Sequence, residues 1–142
     1  MEIVEAQNQK QLNDAFSVRT SVFVDEQQVP EAIEKDDLDQ QAVHFVGYID
    51  EKPVAAGRYR IESNYAKLER ISVIKAFRGQ SLGKELILHI EKSLIQKGVK
   101  KVKLGAQTHA ESFYLKLRYE TASNVFLDAN MPHVMMQKIL SI

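Results

Sequence analysis

Positions 78 to 84 read Arg78-Gly79-Gln80-Ser81-Leu82-Gly83-Lys84, three small residues between two cations. Leu86, Ile90 and Leu94 follow Leu82 at helical spacing, so this turn opens a helix. The first N–H groups of a helix lack intrahelical partners and carry partial positive charge. A turn of this composition can bring its backbone against a phosphate or pyrophosphate. The alternative is a simple capping turn with solvated charges.

Spacing separates the candidate chemistries. A nucleoside-triphosphate loop needs four residues between its first glycine and Gly-Lys, then Ser or Thr. Only Gln80, Ser81 and Leu82 intervene here, and Glu85 follows Lys84. Gly79 to Gly83 also reads G-x-S-x-G, with His109 and His133 downstream as bases, so a serine hydrolase using Ser81 is an alternative. Against it, Ile74 to Arg78 separate the turn from the preceding strand, and that fold needs a larger parallel sheet.

The remaining side chains narrow the field. There is no cysteine, which removes thiol nucleophiles and cysteine-ligated metals. The four histidines, 44, 89, 109 and 133, lack metal-ligand spacing, and the acidic stretch Asp25 to Gln40 lacks the calcium-loop pattern, so no metal is expected. That stretch reads as a solvated acidic loop. Lysine plus arginine and aspartate plus glutamate both number 19, and the pI near 6.9 argues against a nucleic-acid partner. No apolar run reaches the roughly 20 residues of a membrane span, and the N-terminus lacks a signal-peptide layout, so a cytoplasmic location with no membrane partner is expected.

These residues need a frame. At 142 residues, with no Pro/Gly/Ser-rich linker, one domain over residues 1–142 is expected. Asn8 can cap a first helix carrying Leu12, Phe16 and Phe23. Alternation predicts a hairpin from Ala42 to Ile61 with its turn at Asp50 to Pro53, then a strand from Lys67 to Val73. Period two places Glu69, Ile71 and Val73 of that strand on one face. The helix from Ser81 ends near Gly98, and a strand from Lys100 to Gln107 completes a β-α-β unit, which implies parallel pairing. Thr108 and Glu111 fit a capping box for a short helix, and strands from Glu120 to Leu127 and His133 to Ile139 close the chain. The fold class is α/β with a mixed sheet.

Arg78 to Gly83 resembles the R/Q-x-x-G-x-G/A turn of the GNAT family of N-acetyltransferases, with Ser81 where the first glycine is usual. Gln107 to Tyr119 resembles the family's N-x-x-A-x-x-x-Y-x-x-x-G-F, with Gln107 for Asn, Arg118 for Gly and Tyr119 for Phe. Arg19, Phe23, Glu26, Gln27 and Pro30, followed by Glu34, Asp36 and Asp39, are similar to its small bacterial ElaA-like or YjcF-like subgroup. Similar acidic spacing occurs in acyl-homoserine-lactone synthases, a distant alternative of the same fold.

The resemblance implies a GNAT acyl-CoA N-acyltransferase fold of about six to seven strands, with acetyl-CoA as co-substrate. The strands ending near Val73 and starting near Lys100 would splay, with Ile71, Ser72 and Val73 lining the pantetheine, Arg78 to Lys84 holding the pyrophosphate, and Gln107 and Tyr114 completing the cofactor site. Ser81 then needs a backbone conformation that serine tolerates. A backbone N–H near Val73 would stabilise the thioester oxygen. The acceptor implied is a primary amine, whose proton Glu69 would take, with Glu34, Asp36 and Asp39 as alternatives; Tyr114 would protonate the departing thiolate. Arg19, Phe23, Glu34, Asp36 and His133 are candidate acceptor contacts. The family's C-terminal hairpin often contributes to dimers, which makes a homodimer an expected assembly. A non-catalytic acyl-CoA-binding or interaction module is the alternative from another class.

Overall fold

The computed structural model describes residues 1–141, so Ile142 of the expected 1–142 domain lies outside the described residues. The chain runs β1 (Glu2–Glu5), α1 (Gln9–Arg19), α2 (Glu31–Glu34), β2 (Val43–Ile49), β3 (Lys52–Ile61), β4 (Ala66–Val73), α3 (Leu82–Gln96), β5 (Lys101–Gln107), α4 (Glu111–Lys116), β6 (Glu120–Thr121), β7 (Phe126–Asp128) and β8 (Met131–Ile139). The strand order is β1-β2-β3-β4-β5-β8-β6, with β7 also paired to β8. Every pair is antiparallel except β4 with β5, so the sheet is mixed as expected.

It has eight strands rather than six or seven. The strand expected from Glu120 to Leu127 breaks in two, because the Met135 N–H donates to the Ser123 hydroxyl, a side chain standing in for a ladder carbonyl. Asn8 caps α1 as expected, its Oδ1 accepting from the Gln11 N–H at 2.9 Å. The helix does not stop at Arg19. From Thr20 to Glu26 it continues with the wider π winding, a feature that recurs at functional sites. No capping box forms at Thr108: residues 108–110 make a short 3₁₀ turn, and α4 has no side-chain cap.

Helices cover both faces. Leu82, Leu86, Ile87, Ile90 and Leu94 of α3 pack with Phe45, Tyr59, Leu68, Val102 and Leu104. Each fully buried Leu or Ile of that stripe stabilises by about 2 kcal/mol relative to exposure. On the other face, Ala15 and Val18 of α1 meet Val46 and Ala56. No helix among the described residues is long and apolar enough to cross a membrane.

Two irregularities shape the centre of the sheet. β4 and β5 pair only from Ala66 with Val102 to Leu68 with Leu104. Beyond this the strands part, β4 running on to Val73 and β5 to Gln107, which opens the expected cleft inside the sheet. The second is a β-bulge. Arg58 faces Glu69 and Ala56 faces Ser72, so Arg70 and Ile71 together oppose Gly57, with Arg70 at φ +60°.

The bulge overturns the period-two reading of β4. Glu69 points to the α1 face, where it meets Arg58 and Arg60, whereas Ile71 and Val73 pack against the α3 cluster. An extra residue reverses the alternation, so Glu69 and Ile71 lie on opposite faces.

Candidate active site

The segment expected to be a solvated acidic loop is instead folded down onto the bulge. Arg19 and Arg58 are fully buried, and between them they bind the three carboxylates Glu34, Asp36 and Asp39. Arg19 donates to Glu34 at 2.9 Å and to Asp39 at 2.8 Å. Arg58 donates to Asp36 at 2.8 Å, to Asp39 at 2.5 Å and to Glu69 at 3.1 Å. Arg70 reaches Glu34 at 3.1 Å and Asp36 at 3.3 Å, and Arg60 binds Glu69 at 2.7 Å. Burying the carboxylates would raise their pKa values, but the guanidiniums outweigh that and hold Asp36, Asp39 and Glu69 below their ordinary range. Such a network is costly to desolvate, and it fixes the loop and the bulge relative to one another.

A cavity of about 1250 Å³ runs through the cleft from one face of the sheet to the other. On the α3 side it is lined by Ile71, Val73, Leu82, Gly83, Phe113 and Tyr114. Arg78, Gly79, Ser81 and Lys84 line its end at the start of α3. On the α1 side it is lined by Phe23, Glu34, Glu69, Gln107, Met135 and His133, the last two flanking the end of β5. Ser72 also lines it, its hydroxyl donating to the Ala56 carbonyl at 3.4 Å. Most of the residues expected from sequence thus meet in one place.

Three do not. Gln80 does not border the cavity. Arg19, a candidate acceptor contact, is 0% exposed and fully engaged by Glu34 and Asp39, which makes it a buried anchor of the loop. Asp36, another candidate contact, lies outside the lining and is held by Arg58 and Arg70.

The turn before α3 differs from expectation in a second respect. Ser81 lies at φ +64°, ψ +20°, the left-handed region that favours glycine, rather than in a conformation serine tolerates well. Gly79 sits at φ +83°, where its lack of a Cβ removes that cost. The hydrolase reading loses its support: the Ser81 hydroxyl bonds to no histidine among the described residues, and the sheet around it is mixed.

The π-helical turn closes one end of the cleft, which sequence periodicity did not indicate. Glu26 accepts two hydrogen bonds from Arg78, at 2.6 and 2.7 Å, and Gln27 accepts one from Gln107 at 2.9 Å. Consecutive residues thus grip the two lips, one past β4 and one at the end of β5. The Glu26-Gln27 pair itself is the one signal in the sequence, and it carries no local rule that would place it on the cleft.

Tyr114 and Glu69 border the cavity from opposite faces. Tyr114 is buried against Phe113 and Tyr119, with ring centroids 5.0 and 5.7 Å away, and burial pushes its phenol above the usual range. Glu69 uses Oε1 for both Arg58 and Arg60, which leaves Oε2 with only Lys67, 3.9 Å away. His133 donates its Nδ1 proton to the Met131 carbonyl at 2.7 Å, since a carbonyl can only accept.

A sheet split between two parallel strands, with a helix starting at the mouth of the split, defines an acyl-CoA N-acyltransferase fold. Residues 4–140 match the acetyltransferase (GNAT) domain family, and the chain belongs to that family and is an acyltransferase. It is 45% identical over 139 residues, 97% of this chain and 99% of the relative, to the uncharacterized N-acetyltransferase YjcF of Bacillus subtilis. It is 29% identical over 133 residues to ElaA of Escherichia coli, covering 90% of this chain and 87% of ElaA. The ElaA crystal structure superposes with a TM-score of 0.85 at 25% identity, over 97% and 99% of the two chains. An aminoglycoside 6'-N-acetyltransferase complexed with coenzyme A shares the fold at a TM-score of 0.81 and 14% identity, over 100% of this chain and 98% of that one.

Proposed function

We propose that the chain transfers the acetyl group of acetyl-CoA to a primary amine by direct attack within a ternary complex. The observation that carries this reading is the single cavity that joins the split between β4 and β5 to the turn opening α3. Residues 69–73 of β4 have no strand partner on the β5 side, so pantetheine can lie along that edge as an added strand would. Ile71, Ser72 and Val73 border it. The pyrophosphate then meets the N–H groups of Gly79 to Lys84 at the start of α3, with Arg78 beside them. Gln107 faces the opposite lip.

The amine enters from the α1 face and its nitrogen attacks the thioester carbon. A β4 backbone N–H near Val73 stabilises the oxygen as it gains charge. As the tetrahedral intermediate collapses, the C–S bond breaks and Tyr114, on the α3 face, gives its proton to the sulfur. The ammonium loses two protons: the first passes through water to Glu69 Oε2, which is ionised because Arg58 and Arg60 hold its pKa down, and the second leaves the new amide nitrogen through water and balances the proton that Tyr114 gives to the sulfur. A lysine-like amine with pKa near 10.4 is about one part in a thousand neutral at pH 7, which makes such a route necessary. Attack and departure on opposite faces agree with a direct mechanism. Phe23, Glu34 and His133 border the entry side.

Thermal unfolding with acetyl-CoA, dephospho-CoA and ATP tests the cofactor. Acetyl-CoA at 100 times its dissociation constant should stabilise by about 2.7 kcal/mol, a rise of several degrees in Tm. Absence of any shift with CoA compounds sinks the reading. Glu69→Gln and Tyr114→Phe should keep the shift and lose transfer; undiminished transfer in both removes these two residues from the mechanism.

A further inference from the structure

The charges around the acceptor side of the cavity restrict the kind of amine it can take. Four carboxylates border the α1 half: Glu26, Glu34, Glu69 and Asp128. Three of them already hold cations of this chain. Glu26 is bidentate with Arg78, Glu34 is shared by Arg19 and Arg70, and Glu69 is shared by Arg58 and Arg60. Glu34 is 1% exposed, and its second oxygen is buried without a partner and closed to solvent. Glu26 and Glu69 have their pKa values lowered by these partners, so both are ionised and neutralised together.

Asp128 alone is unpaired among the described residues. It is placed by a two-residue turn, Ala129 and Asn130, both at positive φ, with Asp128 facing Met131 across the hairpin. Asp128 is exposed at the rim, beside Phe126 and Met131 of the same hairpin, and the cavity wall also carries the apolar side chains Phe23, Ile33 and Met135. Phe126 stacks on His133 with ring centroids 5.9 Å apart. Lys67, no nearer than 3.9 Å to Glu69, borders the same cavity and repels further positive charge.

From this we infer that the acceptor is a monoamine with an apolar, preferably aromatic, body, its one charge met by Asp128 on entry, and that polycations are excluded. The inference rests on the acetyltransferase reading and deepens it. A polyamine or aminoglycoside carries several ammonium groups, each of which must exchange water for a carboxylate, and a chamber with one unpaired carboxylate cannot supply them. An arylalkyl amine needs one such partner and buries its ring against the phenylalanine and methionines, a contact suited to both the aromatic face and the soft sulfurs.

The test measures transfer from acetyl-CoA to phenethylamine, tryptamine, spermidine and kanamycin by titrating the released thiol, an assay to which this cysteine-free chain adds no background. The arylalkyl amines should show kcat/KM at least tenfold above the polycations. Asp128→Asn should raise KM for phenethylamine severalfold with kcat little changed, and Phe126→Ala should do the same, with the acetyl-CoA thermal shift intact in both. Equal or better turnover of spermidine or kanamycin overturns the inference, as does failure to acetylate either arylalkyl amine while acetyl-CoA still stabilises the protein. Failure of acetyl-CoA to bind at all strikes the acetyltransferase reading itself.

Discussion

Glu26 and Arg78, 52 residues apart in the chain, are joined by two hydrogen bonds of 2.6 and 2.7 Å across the end of the cleft. Arg78 also donates to the Val73 carbonyl at 3.0 Å, so three of its five N–H donors are in use in the free protein, two of them on Glu26. A pyrophosphate arriving at the turn must share that guanidinium or displace the carboxylate. Glu26→Gln removes the competing charge and should tighten acetyl-CoA binding about three- to tenfold, roughly 0.7 to 1.4 kcal/mol, the scale of a part-exposed charge-assisted contact. Titration calorimetry checks this; weaker binding would show that Glu26 supports the site instead of masking it.

Ser81 holds a left-handed backbone at the first turn of α3. An L-residue there costs about 1 to 2 kcal/mol, while glycine gives back part of that through a more flexible unfolded chain. Ser81→Gly should therefore stabilise the fold by a few tenths to about 1 kcal/mol in urea unfolding and leave acetyl-CoA binding in place. A loss of stability would mean that the hydroxyl contributes more than the backbone costs.

Acid should unfold this protein through its loop. Asp36, Asp39 and Glu69 have folded pKa values below the ordinary 3.8 and 4.5, so the unfolded chain binds protons that the folded chain refuses. Their contribution is fully present above the unfolded values and is lost as pH falls through the folded ones. His44, whose pKa burial depresses below 6.5, acts in the same direction from a higher pH. The urea midpoint should decline gently below pH 6.5 and steeply below about 4.5. Arg58→Met should cost about 3 to 5 kcal/mol at pH 7, because it strands carboxylates that have nowhere else to turn, and should flatten the acid limb. An unchanged limb would place the acid-sensitive groups elsewhere.

Gly57 lies under the bulge, where an added Cβ would sit 2.6 Å from Ile71 Cδ1 and 3.3 Å from Ile90 Cδ1. The Ile71 tip is flexible and borders the cavity, so Gly57→Ala should push it toward the pantetheine path. The expected result is about 1 to 3 kcal/mol of destabilisation together with weaker acetyl-CoA binding. Urea unfolding and titration on the same protein read both; lost stability with unchanged binding would show that Ile71 yields away from the cleft.

How far the residues themselves announced this arrangement depended on the range of the forces involved. Local rules found α1 through Asn8, α3 through the stripe from Leu82 to Leu94, and its end at Gly98, which adopts φ +80°. The phosphate-type turn was legible because small residues and a helix start are neighbours in sequence. Alternation alone puts Glu69 on the wrong face, because it assumes an unbroken register and nothing near Arg70 signals an inserted residue. The acidic loop looks solvated in sequence because its partners, Arg19, Arg58 and Arg70, come from three other elements. Charge counting along a chain cannot see neutralisation across it.

The parting of β4 from β5 leaves a strand edge inside a sheet that elsewhere pairs edge to edge. Unpaired edges template the addition of foreign strands. Here the grip of Glu26 and Gln27 on the two lips guards the opening, and a ligand lying along β4 occupies the same hydrogen-bonding groups. On the proposed function, a cofactor lying along β4 therefore caps this edge as well as serving transfer, and the empty protein is the form whose edge stays open to another strand.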